Sequence, residues 1–597
     1  MHRFALAALL AALLTVLGAA PAAADLVPIV LDGWFDDWAA IAPLATDPAG
    51  DGGGSGIDFG DVWAANDQDW LYLGFTTGAE VQPDEQQDIR LYLDTDMDAE
   101  TGYAYGGIGA ELIWNLGQRT GTFHRGGTAA IDHPDIGLQV GPTVSSTRFE
   151  LALRRDAVPA NGQDLFPGGT VRFILRDGAG GGDATEPVTY AFAAGSEAVP
   201  SLDLGRADPA HLRLAVWNVQ SDGLFDGGSA EAAQGRLLQV MDPDVLVVCE
   251  VWGHDAADVA AVLEQHLPSG SGQQWHAVMR DDGNVVCSRL PILQSWRITP
   301  TYRNTAVLLD LGPAAATDLL LIASHWRCCT ADDDRQNEAD AVVAFLRDAK
   351  TPGGTVTLPE GTPFLMAGDL NLVGWRQQLE TLLTGDIQDE GTYGADAAVD
   401  WDGGDFVPVI SRHPDQRSAY TWFATYSSFY PGMLDWILYT DSALTLRNHY
   451  VLETRTMTAA TLAASGLQQY DTTDASDHAA RVADFSLGSP LSAVPGPGPA
   501  GAWARLLPNA PNPFNPSTRL RFALTDEATV TLAVYDARGR LVRGLGARAW
   551  PAGEHAVTWD GRDEAGRGAA SGVYYVRLVA DGPGGRTAAT RAVTLLE

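Results

Sequence analysis

Lysine is almost missing from this chain: Lys350 is the single one in 597 residues. Arginine does not repair the deficit. Only 38 basic side chains stand against 76 acidic ones, and the formal net charge is −38. Such a chain repels polyanions at long range, which excludes the nonspecific grip on nucleic acid that a basic surface gives. Any work on a phosphate-rich substrate must run through a local patch, divalent ions or high salt. Cysteine is scarce as well. Cys249, Cys287, Cys328 and Cys329 all fall in one central region, and no CxxC spacing of the metal-binding kind occurs. Adjacent cysteines bridge each other only with strain, so the pairing stays open. Long apolar runs are missing after residue 24. The first 24 residues carry a short polar start (His2, Arg3), the stretch "FALAALLAALLTVLGAA" and the small-residue segment "PAAAD" near Ala24. This reads as a secretory signal rather than an anchor, because the apolar run is short for a span. The expected product is secreted or displayed at the cell surface, with no transmembrane segment once the signal is removed.

What is present points to several domains. The apolar fraction of 46% is that of globular protein, and 597 residues are too many for one core. Residues 25–205 are rich in Gly and Asp, with short alternating strands such as "DWLYLGF" and "IRLYLDTD", the pattern of an antiparallel β-sandwich. From 211 to 487 apolar strands alternate with helix-like segments, as in "GRLLQVMD" followed by "PDVLVVCE", which reads as α/β layering. A Pro/Gly linker follows at 488–504. Residues 505–597 return to strands, and there arginine outnumbers the acids, unlike the acidic segments before it.

The α/β segment repeats one device. "LRLAVWN" ends in Asn218, "DVLVVCE" in Glu250, "DLLLIASH" in His325, and "PFLMAGDLN" in Asp369 and Asn371; "GMLDWILY" holds Asp435, and "DASDHAARVADF" opens a strand with Asp477 and His478. Each run is apolar until it delivers a side chain that binds metal or moves a proton. Strand ends on one sheet edge can converge. Singly, each has a plain alternative: Asp and Asn suit turns, and a histidine can simply end a strand. Asp435 is stronger, because a lone buried carboxylate is costly without a partner. Together the residue types fit phosphodiester hydrolysis. Mg²⁺ takes oxygen ligands, which Glu250, Asp477 and Asn218 can supply. Asp369 is available as the base for water, Asn371 to orient water or phosphate, and His478 held by Asp435 to bond a phosphate oxygen or protonate the leaving group. His325 can donate from another side.

The ordered set "WN", "DPDVLVVCEVW", "NVVCSRLPI", "ASHWR", "AGDLN", "LDWILY" and "SDH" resembles the endonuclease/exonuclease/phosphatase superfamily, over about 211–487. The resemblance implies a multidomain chain whose centre is a four-layer α/β sandwich (DNase-like). It also implies divalent-metal phosphoester hydrolysis with Mg²⁺, or Mn²⁺ or Ca²⁺ in its place. By motif, Asn218, Glu250 and Asp477 become metal-site residues. Asp369, with Asn371 beside it, activates water, and Asp435 orients His478. His325 corresponds to a histidine of the DNase and sphingomyelinase branches. "RNTAVLLD" puts Arg303 and Asn304 near the phosphate. No acidic partner for His325 stands out; Asp281 and Asp282 are the candidates. The substrate expected first is DNA or RNA, cut by an extracellular nuclease. The alternatives are a phospholipid headgroup, cut by a sphingomyelinase-like phospholipase C, and a non-catalytic glycan-binding surface protein. The aromatic stretch 420–433 can serve base stacking, lipid contact or packing around Asp435.

The flanks carry resemblances of their own. "VLDGWFDDW" and "DFGDVWAANDQDWLYLGF" resemble family 9-like carbohydrate-binding and DOMON-like sandwiches, with Trp63, Trp70 and Trp114 as candidate sugar platforms. "LYLDTDMDAETGY" sets Asp94, Asp96 and Asp98 at alternate positions, as a structural Ca²⁺ ligand set or a plain acidic turn. "LPNAPNPFNPSTRLRFAL" with "VYDARGRLVR" resembles a FlgD-like Ig module, acting as spacer or sorting signal in a C-terminal Ig-like β-sandwich.

Overall fold

The computed structural model describes residues 28–487 and 504–595, apart from short stretches at 53–55, 83–86, 181, 196–197, 271–273, 313–314, 316, 511–513, 515, 525, 537–540, 563–566, 570–571 and 583–584. The signal-like residues 1–24 and the linker up to 503 therefore lie outside the described residues. The chain divides into two compact units, Met1–Gly488 and Ser489–Glu597. Among the described residues no helix is long and apolar enough to cross a membrane.

The centre of the first unit is built on alternation. Along Leu212–Asn218, Leu214 and Val216 face one core while Ala215 and Trp217 face another. That is the period-two geometry of a strand buried on both faces. One six-stranded sheet runs His276–Val278, Gly283–Ser288, Val245–Val251, Leu212–Asn218, Ala480–Leu487, Leu444–Leu452. The second runs Ile292–Arg297, Asn304–Leu309, Leu319–His325, Phe364–Asp369, Asp435–Tyr439, Val407–Pro408. Between them lies a core of Leu214, Val247, Val307, Leu321, Leu365 and Ile437, among others. The outer face of the first sheet is covered by the helices Gly228–Met241 and Ala256–His266, through Leu237, Leu238, Val259 and Leu263. The outer face of the second is covered by Asp332–Lys350 and Arg376–Thr384, through Val342, Leu346, Leu379 and Leu382. The result is the expected four-layer α/β sandwich. Asp332–Lys350 opens with Asp332, Asp333 and Asp334 in its first turn, where the helix dipole favours negative charge.

Register sets the site. Leu212–Asn218 runs parallel to Val245–Val251, and Leu319–His325 parallel to Phe364–Asp369, so each pair ends together. His325 lies opposite Asp369, and Asp369 opposite Asp435 on the next strand. Gly368 permits this closeness. A Cβ there would meet the Ser324 carbonyl oxygen at 1.7 Å.

The preceding segment forms a five-stranded and a six-stranded sheet, ordered Ala45–Thr46, Asp61–Asn66, Trp70–Val81, Ser146–Arg154, Gln139–Gly141 and Val188–Ala191, Thr170–Asp177, Ile89–Asp94, Leu112–Asn115, Thr120–Phe123, Ala129–Ile131. Their shared core includes Leu73, Phe75, Leu91, Trp114 and Phe149. Trp63, Trp70 and Trp114 are buried, at 7%, 6% and 1% exposure, so these rings pack the protein and offer no sugar platform. Two residues lock this sandwich to the α/β layers: Val144 enters the core under the second sheet, and Tyr430 enters the core of the sandwich. A buried ion pair, Arg417 to Asp67 at 3.1 Å, joins them as well.

The second unit stands on a core of Phe522, Val530, Leu532, Val534, Trp559, Val576 and Leu578 between two antiparallel sheets. One sheet is ordered Ala504–Ala510, Thr518–Leu524, Gly553–Trp559 and the other Leu541–Trp550, Ala528–Asp536, Gly572–Gly582, Gly585–Leu595.

Candidate active site

The ends of the two central sheets open into a cavity of about 560 Å³. Glu250, Arg303, His325, Asp369, Asn371, Asp477 and His478 all line it. Asn218 and Asp435 lie just behind, each fully buried.

At the base, Asn218 Nδ2 donates to Glu250 Oε1 at 3.0 Å and to Asp369 Oδ2 at 2.9 Å, tying the two sheets together. The Asn218 oxygen accepts from the Gln220 amide, so this side chain turns its nitrogen, not the expected oxygen, toward the carboxylates. Glu250 sits on a bulge at positive φ and its Oε2 accepts from the Ser221 amide at 2.7 Å. Among the described residues ten non-glycine residues have positive φ, and six of these (Gln220, Ser221, Asp222, Glu250, Cys329, Asn371) stand at or beside the cavity. Left-handed backbone costs about 1–2 kcal/mol per residue, so strain is concentrated here, as it often is at functional sites.

The histidines differ. His478 Nδ1 meets Asp435 Oδ2 at 2.7 Å, and its Nε2 is 3.9 Å from Asp369 Oδ2. Burial works against its charge, but the Asp435 charge and hydrogen bond, helped by Asp369 and Asp477, outweigh it and raise the imidazole to about 10. His478 is therefore an imidazolium. His325 Nε2 is 3.7 Å from Asp369 Oδ2, while its buried Nδ1 has no partner. Burial first, then the Arg303 and His478 charges, push its pKa well below the usual value, so it is neutral. Asp281 is not its acidic partner: that carboxylate takes the Thr305 hydroxyl at 2.6 Å and the Asn284 amide. Asp369 itself is raised to about 7, by burial above all.

Ligand atoms of Glu250, His325 and Asp369 lie within 4.8 Å of one another. One carboxylate held by backbone, one elevated carboxylate and one neutral imidazole with an open nitrogen form a donor set that suits a divalent cation. Asp477 lines the same cavity, but its Oδ2 accepts from Trp422 Nε1 at 3.1 Å and the Tyr426 hydroxyl, and it is outside that trio. His325 was read from the sequence as a donor rather than a member of such a trio. Asn371 anchors on the Trp326 carbonyl at 3.1 Å. Arg303 donates to the His325 carbonyl and lies over the Trp252 ring. Asn304 is fully buried and does not line the cavity; its oxygen receives the Ser324 hydroxyl and the Trp326 indole.

In the first sandwich, Asp94 and Asp96 do meet, but their partner is Glu111 rather than Asp98. Pairing of Leu93 with Leu112 brings Glu111 alongside, while Asp98 caps the Glu100 amide. Asp94 Oδ2 is buried without a partner, which suits a cation. A further acidic group, Asp47, Asp51 and Asp183, had no local sequence signature.

Residues 215–478 match the Endonuclease/Exonuclease/phosphatase family, and 512–584 match the FlgD Ig-like domain. The middle of this chain is an endonuclease/exonuclease/phosphatase domain. Solved structures similar to that domain include a humanized D. rerio TDP2 (18% identity, 46% of this chain and 99% of that chain, TM-score 0.29). ANGEL2, described as a 2',3'-cyclic phosphatase, is another (16%, 48% and 97%, TM-score 0.32). Sphingomyelinase C from Streptomyces griseocarneus is a third (17%, 46% and 99%, TM-score 0.26). No curated protein matches the chain. The endonuclease/exonuclease/phosphatase domain is of a phosphodiesterase or phosphatase family, and the polar strand ends above are its cavity floor.

Proposed function

We propose that the chain is an exported, divalent-cation-dependent phosphodiester hydrolase. One observation carries the reading: an imidazolium fixed by a buried carboxylate, His478 on Asp435 at 2.7 Å, points its other nitrogen toward a second buried carboxylate, Asp369. A proton donor and a proton acceptor then face one cavity with opposite preferences. Export rests on residues 1–24 as read from the sequence.

Glu250, Asp369 and His325 would hold the cation, with Asp477 near; when bound, such an ion neutralises charge on the phosphate oxygens. The protein's own groups do the rest. Asp369, as carboxylate, takes the proton of the attacking water. His478 presents an N–H to a phosphate or leaving-group oxygen, and Asp435 keeps the ring charged and oriented. Arg303 offers a second positive group on the wall. Asn218, by linking Glu250 and Asp369, keeps the two sheet ends at fixed spacing.

A nuclease is the first substrate reading, supported by the residue set of the family. A phospholipase C-type reading is favoured by a different observation, the apolar lining of the cavity (Val140, Pro142, Val373, Leu434), and by a net charge of −38 that opposes polyanions. Purified protein should hydrolyse plasmid DNA or sphingomyelin with Mg²⁺ and lose that activity in EDTA. His478→Ala and Asp369→Ala should each lower kcat at least a hundredfold while circular dichroism stays native. Near-native turnover in either variant sinks the role assignments.

A further inference from the structure

Three residues of the N-terminal sandwich, Val140, Pro142 and Thr143, line the cavity that contains Glu250, Asp369 and His478. The sandwich also holds the neighbouring wall. Gln82 Nε2 donates to the Val373 carbonyl, and Thr143 Oγ1 donates to the Leu372 carbonyl at 2.7 Å. The Tyr430 hydroxyl donates to the Leu116 carbonyl at 2.8 Å and receives the Trp114 indole at 2.9 Å. The Arg119 guanidinium lies over the Phe429 ring, 4.2 Å from its centroid. Phe429 remains 43% exposed even so, a large apolar ring left facing open space.

The wall's polar atoms are thus turned into the protein. The Thr143 hydroxyl is spent on Leu372, the Tyr430 hydroxyl on Leu116, and the Trp422 indole nitrogen on Asp477. What Pro142, Val373 and Phe429 offer is carbon, and only the buried edges of Val140, Tyr430 and Leu434 reach the cavity beside them. A nucleobase seated there would leave its edge donors and acceptors without partners, which costs binding. An apolar group loses no hydrogen bonds and gains burial.

We infer that this wall is a subsite for an apolar ester substituent of the phosphodiester, and that the N-terminal sandwich builds it. The inference rests on the hydrolase reading above. The sandwich is then part of substrate selection rather than a tethered accessory.

The test uses the whole protein with Mg²⁺ and three esters that share the p-nitrophenolate leaving group: phenyl, methyl and thymidine 5'- p-nitrophenyl phosphate. Differences in kcat/KM then report the retained substituent alone. The phenyl ester should be preferred over the methyl ester by about tenfold, the scale of burying a few additional carbons, and the nucleoside ester should not exceed the phenyl ester. Val140→Thr and Phe429→Ala should each cut the phenyl-to-methyl ratio at least threefold, mainly through KM. Because the ratio is taken within one preparation, loss of folded enzyme cancels. Equal rates for phenyl and methyl esters, a preference for the nucleoside ester, or a ratio unmoved in both variants overturns the subsite and leaves the hydrolase reading standing. No hydrolysis of any ester overturns that reading, and the subsite with it.

Discussion

Burial lifts Asp369 to about 7 against the pull of the His478 imidazolium and the Asn218 and Asn371 hydrogen bonds. The sign matters for any cation that approaches Glu250, His325 and Asp369. Below about 7 the Asp369 carboxyl carries a proton that the cation must displace; above it the site is already charged. His325 does not compete, since its own pKa lies well below the usual value and it is neutral throughout this range. The half-saturating Mg²⁺ concentration for hydrolysis should therefore be about tenfold higher at pH 6 than at pH 8, one displaced proton accounting for the change. His478, held up near 10, keeps its charge at both pH values and should add nothing to this slope. A flat response across that window removes Asp369 from the cation's surroundings.

At the scale of elements, two parallel strand pairs ending in step make the site, and within one of them Gly368 leaves no room for a side chain against Ser324. An added methyl at 1.7 Å from the Ser324 carbonyl oxygen meets backbone, not a flexible side chain. The strands Leu319–His325 and Phe364–Asp369 must separate to admit it, and they carry His325 and Asp369 at their ends. Gly368→Ala should cost about 3 kcal/mol or more, the upper range for overpacking a core, read as a lower urea midpoint. Activity per folded molecule should fall with it, and an unshifted midpoint contradicts the crowding. This is also the scale at which the sequence was most legible. Apolar runs ending in a polar residue picked out Asn218, Glu250, His325 and Asp369, and polar residues at the start of apolar strands picked out Asp435 and His478; it was their number in one segment, not any one of them, that carried the signal. Part of what escaped was set by pairing between distant strands. Glu111 replaces Asp98 beside Asp94 because Leu93 pairs with Leu112, which no local spacing encodes. The orientation of the Asn218 amide escaped for a local reason: the Gln220 backbone amide, two residues on, takes its oxygen and turns its nitrogen toward the carboxylates.

At the scale of the whole chain, the boundary near residue 205 is visible in composition but is not a mechanical boundary. Tyr430 of the α/β segment sits in the sandwich core, and Val144 of the sandwich sits under the second central sheet. Leu31 forms a bridge with Ser418, and the Arg417–Asp67 pair, 5% and 4% exposed, spans the junction. Two bodies that share cores cannot unfold separately without exposing both. A chain ending at residue 487 should therefore melt in one calorimetric transition, with equal calorimetric and van't Hoff enthalpies. Arg417→Ala removes the guanidinium at Asp67 and leaves that carboxylate to the Tyr72 hydroxyl and the Asp69 and Trp70 amides, so it should cost about 1.5–3 kcal/mol, the scale of a hydrogen bond to a charged group. That loss should move the single transition down as a whole instead of splitting it, because the ion pair stabilises neither body alone. Two transitions in the parent chain, or a shift confined to part of the heat, would mean that the sandwich docks loosely.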